Sequence, residues 1–190
     1  MNTTAQAVLD FWFGAPPHAQ ARAEWFVKNP AFDDEIRQRF AAAIDAACAG
    51  ALQDWDAAPP SALARILLLD QFTRNVHRGT ARAFAGDALA LAAARRMVAA
   101  GEDEALPPMQ RSFVYLPFEH AEDLAMQDEA VRLFERLASR EAGFETMLDY
   151  AVRHRVVIER FGRFPHRNAI LGRVSTPEEA AFLEQPGSSF

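Results

Sequence analysis

The sequence is poor in residues that cross-link or anchor a fold. Its one cysteine, Cys48, excludes an intramolecular disulfide and a cysteine-rich zinc site. It has one lysine against 19 arginines, and 38 of its 190 residues are alanine, so residue type alone does not mark any arginine as a ligand. No apolar run approaches 18 residues, and the first basic residue, Arg22, comes too late for a signal peptide. We therefore expect a cytoplasmic protein without a membrane span.

β-Branched residues are also scarce, since Val, Ile and Thr together number 21. Strands prefer these residues, whereas the abundant Ala, Leu, Arg and Glu prefer helices, so the composition favours an all-α fold. The net charge of −6 argues against nucleic-acid binding, because the molecule as a whole repels the phosphate backbone. The chain lacks a G-x-S-x-G motif and a glycine-rich phosphate loop, which argues against covalent catalysis.

Helical periodicity recurs along the chain and is interrupted by Pro or Gly at short intervals. The pattern predicts about eight helices, among them residues 4–13, a helix opened by Pro117 that runs to about residue 139, and residues 144–164. Thr176, Pro177 and Glu179 fit a capping box. Short connections favour stacked antiparallel αα-hairpins in a single domain over residues 1–184, followed by a disordered tail, 185–190. We expect the N-terminal aromatic residues to be core: Phe11, Trp12, Phe13, Trp25 and Phe26.

Polar residues interrupt apolar helix faces in two places. The stripe of Leu63 and Ile66 continues into polar positions, with Asp70 and Arg74 placed as an i, i+4 pair. The helix either leaves the core there or forms the floor of a polar pocket. In the helix predicted from Pro117, one apolar stripe carries a histidine and a glutamine that need partners if buried. The polar residues at the two places are Asp70, Gln71, Arg74, Asn75 and Arg78, then His120 and Gln127.

His120, the histidine on that second stripe, is either a core residue whose ring nitrogens are hydrogen-bonded or a residue that transfers protons. Glu119 and Glu122 flank His120 and would favour its charged form. The sequence EHAE lacks a second histidine four residues on, so we expect no metal site.

The third place is basic. Residues 151–173 carry a charge of +5, whereas the rest of the chain carries −11. Arginines near the C-terminal end of a helix stabilise the helix by interacting with its dipole. This effect accounts for Arg160 and Arg163. His154 falls on an apolar face and is expected to pack inside. Past Pro165 the basic residues fall in a loop, where guanidinium groups commonly bind carboxylate or phosphate. That loop contains His166, Arg167, Asn168 and Arg173.

Over nearly its whole length, the chain resembles the bacterial family known as domain of unknown function 924. The resemblance rests on VLDFWFG, LLLDQFTRNVHRG, YLPFEHAED and RFGRFPHRNAILGRVSTPEE, of which the run FGRFPHRN is the most specific. Thr73 stands where the family pattern has proline, and Ala121 where it has serine. The resemblance implies an all-helical fold similar to tetratricopeptide-like superhelices, and it implies no established activity, substrate or cofactor.

Three functions are compatible with these residues. The first is a pocket for a small anionic ligand, a carboxylate or phosphate, with or without acid/base chemistry. The second is a tetratricopeptide-like module that binds a peptide or protein without catalysis. The third is a scaffold held by internal salt bridges. In the first, the catalytic candidates are His120, His166, Glu119 and Glu122, and the ligand-binding candidates are Asp70, Gln71, Arg74, Asn75, Arg78, Gln127, Arg163, Arg167, Asn168 and Arg173; no metal or cofactor is expected.

Overall fold

The computed structural model describes residues 3–14, 22–25 and 27–188. These residues form α-helices joined by short turns, and no β-strand occurs among them, which confirms the predicted all-α class. Contacts between Cα atoms divide the chain into two compact units, Met1–Arg78 with Arg82–Pro117, and Gly79–Ala81 with Phe118–Phe190. The single domain and the tetratricopeptide-like superhelix stay predictions.

The first unit contains α1 (Ala5–Phe13), α2 (Pro30–Cys48), α3 (Pro59–Leu67), α4 (Thr73–Val76), α5 (Asp87–Ala99) and most of α6 (Pro108–Glu119). Side chains cap the first two helices, because Thr4 Oγ1 accepts the Ala7 N–H and Asn29 Oδ1 accepts the N–H of Phe32. Gly14, with φ at 78°, ends α1 at the predicted stop.

Aromatic rings form much of the first unit's core. Phe11 stacks on Phe32 with 5.0 Å between ring centroids, and Trp12 lies 5.3 Å from Phe72. These pairs fall within the range in which aromatic contacts stabilise beyond their buried area. The predicted core aromatics Phe11, Trp12, Phe13 and Trp25 are buried, and Phe26 lies outside the described residues.

The helix that begins as α3 changes geometry before it ends. A π-helical turn, Leu68–Phe72, joins α3 to α4. Gly86, just before α5, packs against this turn so closely that a Cβ at position 86 would lie 2.2 Å from the Leu69 carbonyl oxygen. Glycine is therefore required for the two backbones to approach there.

The second unit contains α7 (Leu124–Arg140), α8 (Glu145–Phe161) and α9 (Pro177–Leu183). α7 and α8 pack against each other across the short connection 141–144, as expected for an αα-hairpin. The predicted capping box opens α9, since Thr176 Oγ1 accepts the Glu179 N–H and Glu179 Oε2 accepts the Thr176 N–H.

The C-terminal end of the described chain forms a turn. Ser188 is buried, and its Oγ donates to the Leu183 carbonyl at 3.1 Å. Residues 189–190 of the predicted disordered tail lie outside the described residues, and the tail stays a prediction. Within the ranges that the structure describes, no helix has the length and apolar character needed to cross a membrane.

Pro117 does not open a helix, so that prediction was wrong. It lies in the last turn of α6, where it has no N–H to donate to the carbonyl four residues earlier, and the helix ends two residues later at Glu119. α7 begins only at Leu124, where Asp123 Oδ1 accepts the Met126 N–H at 3.0 Å. His120 therefore lies between two helices instead of sharing a helical stripe with Gln127.

Candidate functional site

Asp70, in the π turn, is a shared partner of Gln71 and Arg74. Asp70 is fully buried and accepts the Gln71 Nε2–H at 2.6 Å. Arg74 lies 3.1 Å from Asp70 Oδ1, which confirms the predicted i, i+4 pair, and donates two bonds to Asp87, at 2.8 and 3.0 Å. Burial opposes the charge of Arg74, but the carboxylates of Asp70 and Asp87 outweigh it and raise the guanidinium pKa.

A carboxylate that sequence reasoning missed organises the next residues of this helix. Asp33, buried in the first turn of α2, accepts the Asn75 amide at 2.6 Å and two bonds from Arg78, at 2.6 and 3.1 Å. The amides of Gln71 and Asn75 therefore each donate to an aspartate, Asp70 and Asp33 respectively. An open cavity of about 190 Å³ lies beside this group, with Lys28 at its rim.

In the second unit, Gln127 stabilises the end of α6. Its side chain is fully buried, and Nε2 donates to the carbonyls of Glu119 and Ala121 at 2.6 and 2.7 Å. These carbonyls belong to a helix end that has no further turn to accept from. Gln127 therefore fixes the backbone beside His120, which is a structural role.

Glu122 clamps the loop that follows α8. Its carboxylate accepts the Phe164 N–H at 2.8 Å and two bonds from Arg173, at 2.6 and 2.9 Å. Arg173 also donates to Asn168 Oδ1, and Asn168 donates to Ser175 Oγ. Although burial opposes its charge, the bonds from Arg173 and Phe164 lower the pKa of Glu122. An ionised carboxylate held by three donors is better suited to positioning the loop than to moving a proton.

Arg163 belongs to a similar clamp at the start of α9. Its guanidinium donates two bonds to Glu179, at 2.6 and 2.8 Å, and a third to the Val174 carbonyl. Glu179 also completes the capping box, and its contact with Arg163 holds the pKa of its carboxyl at about 2. This arginine therefore joins the loop to a helix.

Three histidines of the second unit lie close together. The ring of His154, on α8, is 6.3 Å from that of His120 and 5.5 Å from that of Phe164. Phe164 is in turn 5.6 Å from His166, and the Arg167 guanidinium lies 4.5 Å above the Phe164 ring. We call His120, His154, Phe164, His166 and Arg167 the histidine cluster. It joins the end of α6, the middle of α8 and the loop after α8.

The environment of the histidine cluster favours neutral imidazoles. Burial, and to a smaller extent neighbouring His120, lower the pKa of His154 to about 3. Burial and the adjacent charge of Arg167 lower the pKa of His166 to about 4. His154 and Arg167 are buried, whereas His120 and His166 are partly exposed. Both shifted rings are therefore neutral at pH 7.

The predicted site residues thus fall into two groups. Those of the π turn and α4 lie in the first unit, and the others lie in the second unit. Among the described residues, no group of three or more His, Cys, Asp or Glu side chains is placed to hold a metal ion. The sequence did not identify Asp33, Asp87 and Glu179 as partners, because an acidic residue in a helix is equally compatible with a solvated surface group. Ser175, in the loop before α9, and His154, as a member of the cluster, carry no sequence signal for their contacts.

Comparisons with known proteins found a solved structure and a family model that are similar to this chain. A solved structure of a protein of unknown function from Agrobacterium tumefaciens shares 44% sequence identity with this chain. The alignment covers 95% of this chain and 96% of that chain, with a TM-score of 0.83. No curated protein matches. A family model described as bacterial protein of unknown function (DUF924) matches residues 8–187. The chain therefore belongs to the DUF924 family.

Proposed function

We propose that the histidine cluster binds a small oxyanion, a carboxylate or a phosphate. The observation that carries this proposal is the buried Arg167 guanidinium, held over Phe164 beside His166 and within the same cluster as two further imidazoles. Guanidinium and imidazole N–H groups are the donors that proteins commonly present to carboxylate and phosphate oxygens. His120 and His166 are partly exposed, so two of the imidazoles are accessible to solvent.

The second half of the proposal is acid/base chemistry by the histidines of the cluster. A neutral imidazole can accept a proton, but a ring with a pKa well below 7 is a weak base, so acid/base chemistry at neutral pH requires the bound anion to raise that pKa. His154 and His166 are held in that neutral form, with pKa values of about 3 and 4. Acid/base chemistry on the bound anion is therefore proposed for the histidines, while Glu122 serves as a clamp.

The remaining arginines are assigned a structural role. Arg78, Arg163 and Arg173 each donate two bonds to a carboxylate of their own unit. Two-point contacts of this kind are geometrically specific and hold distant segments of the chain together. We therefore assign these three arginines to a scaffold of internal salt bridges. The proposed anion-binding residues are those of the histidine cluster alone.

Thermal unfolding with inorganic phosphate and with small mono- and dicarboxylates tests the proposal. A ligand at 100 times its Kd stabilises the folded state by about 2.7 kcal/mol. For a chain of this length that corresponds to a rise in Tm of about 5 °C or more. Arg167→Ala should abolish the rise. Arg153→Ala removes an arginine whose side chain is 59% exposed, so it should retain the rise.

Because Arg167 is buried, its removal could also weaken the fold. His166→Gln, at a partly exposed position, provides a second variant, which should reduce the ligand-induced rise while the protein stays folded. Equal rises in the wild type and both variants would contradict the proposal. A response to acidic peptides but to none of the small anions would instead favour a peptide-binding module.

A further inference from the structure

The cavity beside Asp33, at the start of α2, is lined by charges of both signs. Its volume of about 190 Å³ is smaller than the about 300–1,000 Å³ typical of pockets for drug-sized ligands, so it suits a small polar molecule. Every lining residue belongs to the first unit. The charged residues of the lining are three cations, Lys28, Arg37 and Arg78, and two carboxylates, Asp33 and Asp34. A ligand that carries charge of one sign alone therefore meets like charge in this cavity.

Most of these charges are already paired within the wall. Arg78 donates Nε to Asp33 Oδ2 at 2.6 Å and Nη2 to Oδ1 at 3.1 Å. The Asn75 amide also donates to Oδ1, at 2.6 Å, so both oxygens of Asp33 accept hydrogen bonds. Arg37 pairs with Asp34 through Nη1 and Oδ1. Asp33, Asn75 and Arg78 therefore form a fixed part of the wall, with their charges neutralised.

Two charged groups of the lining keep unused hydrogen-bonding capacity. Lys28 is exposed, and no hydrogen bond or ion pair joins it to any residue that the structure describes. Asp34 is 60% exposed and uses Oδ1 for Arg37, whereas Oδ2 has no such contact within the described part of the chain. The cavity thus has one ammonium donor and one carboxylate acceptor that are open to a ligand.

The N-terminus of α2 adds no donor to this pair. Asn29 Oδ1 accepts the N–H groups of Ala31 and Phe32 at 3.1 and 3.2 Å, and the Asn29 carbonyl accepts the Asp33 N–H at 2.9 Å. The backbone donors of the first turn are thus satisfied, although such donors commonly bind anions. Recognition in the cavity depends on its side chains.

We propose that this cavity binds a small zwitterion of the α-amino acid type, whose carboxylate accepts from Lys28 and whose ammonium group donates to Asp34 Oδ2. A molecule with one charge of each sign satisfies both open groups at once. A simple carboxylate satisfies Lys28 alone, and a simple amine satisfies Asp34 alone. The cavity lies in the other unit from the histidine cluster, so this inference does not depend on the proposed anion site.

The chain has one lysine, which makes direct observation of the site possible. Protein prepared with ¹³C-labelled lysine gives a single Cε signal, from Lys28. Titration with glycine at pH 7 should shift this signal to saturation. Acetate and methylammonium each carry one of the two charges of glycine. At matched ionic strength, each should bind at least about fivefold more weakly than glycine, because one charged contact is missing.

Calorimetric titration of variants with glycine tests the two side chains. Lys28→Gln and Asp34→Asn each remove one charge at an exposed position, so both variants should fold, and each should weaken binding at least about fivefold. Lys28→Arg keeps the charge and should retain most of the affinity. Arg95→Gln removes an exposed cation of α5 that does not line the cavity, and it should bind glycine as the wild type does.

Three results would overturn the inference. The first is a Lys28 signal that glycine does not shift to saturation. The second is an affinity for acetate equal to that for glycine, since the site would then bind a plain anion. The third is glycine binding that survives Asp34→Asn unchanged. Arg167→Ala should leave glycine binding intact, and loss of binding in that variant would place the ligand at the histidine cluster and also contradict the inference.

Discussion

Asp33 illustrates how much a single side chain decides in this protein. Polar residues on the extended stripe of α3 and α4 were predictable from helical spacing, and Asn75 and Arg78 are among them. Their partner lies 42 and 45 residues earlier in the chain, in a helix turn where an acid is also favoured by the helix dipole. In the sequence, Asp33 fits equally well as an exposed acid that stabilises the helix dipole and as a buried partner of other polar residues. Its burial in the structure shows that it is a buried partner.

At this scale, Asp33→Asn should lower the free energy of unfolding by about 2 kcal/mol, because a buried charge-assisted contact with Arg78 is lost. Asp34→Asn changes the neighbouring, exposed carboxylate and should alter stability by about 0.5 kcal/mol or less. Urea unfolding of both variants measures the difference. Equal losses in the two variants would show that Asp33 contributes no more than a surface charge.

At the scale of elements, helix ends set by a capping side chain or a glycine were easier to predict than whether a helix continues past a given residue. The Thr176 cap and the Gly14 stop act within one turn, so local chemistry determines them. Pro117 was misplaced because proline is usual in a first helical turn, whereas here it lies in the last turn of α6 and the helix ends two residues after it. The π turn Leu68–Phe72 had no sequence signature, and neither had the close packing of Gly86 against it, which joins residues of different elements.

Substitution of Gly86 tests this packing. A Cβ at Gly86 would overlap the Leu69 carbonyl, so Gly86→Ala should destabilise the protein by about 3 kcal/mol. Gly101→Ala serves as the control, because position 101 has open space but a φ of 69°, and the strained backbone alone should cost about 1 kcal/mol. Chemical denaturation of the two variants compares them. A smaller loss for Gly86→Ala than for Gly101→Ala would contradict the proposed close approach.

At the scale of the whole molecule, charge that is segregated along the chain is largely paired in space. The basic stretch 151–173 carries a charge of +5 in the sequence. In the structure its arginines meet carboxylates of α7, α8, α9 and the loop before α7, for example Arg155 with Asp128 and Arg173 with Glu122. Ion pairs of this kind offset the excess charge, so the stretch is not a strong argument for nucleic-acid binding.

The same electrostatics predict how stability depends on pH. The folded-state pKa values of His154 and His166, about 3 and 4, lie below the ordinary 6.5, so the unfolded chain binds more protons. Stability should therefore fall as pH drops from about 6.5 to about 4. Glu179, with a pKa of about 2 against an ordinary 4.5, adds a further loss below pH 4.5.

Unfolding free energies measured between pH 7.5 and pH 4 test this dependence. His166→Gln removes one of the groups responsible and should flatten the decline between pH 6.5 and pH 4. A wild-type stability that is constant, or that increases, over this range would show that the two histidines become protonated in the folded state near their ordinary pKa.

The sequence by itself determined the all-α class, the end of α1 at Gly14 and the capped start of α9 at Thr176. Composition, 3.6-residue periodicity and capping act within a few residues, so they can be read along the chain. Only the tertiary structure decided which carboxylates neutralise the arginines and that His154 joins His120 and His166. Those contacts join residues far apart in sequence, and their strength depends on burial, which no local pattern specifies.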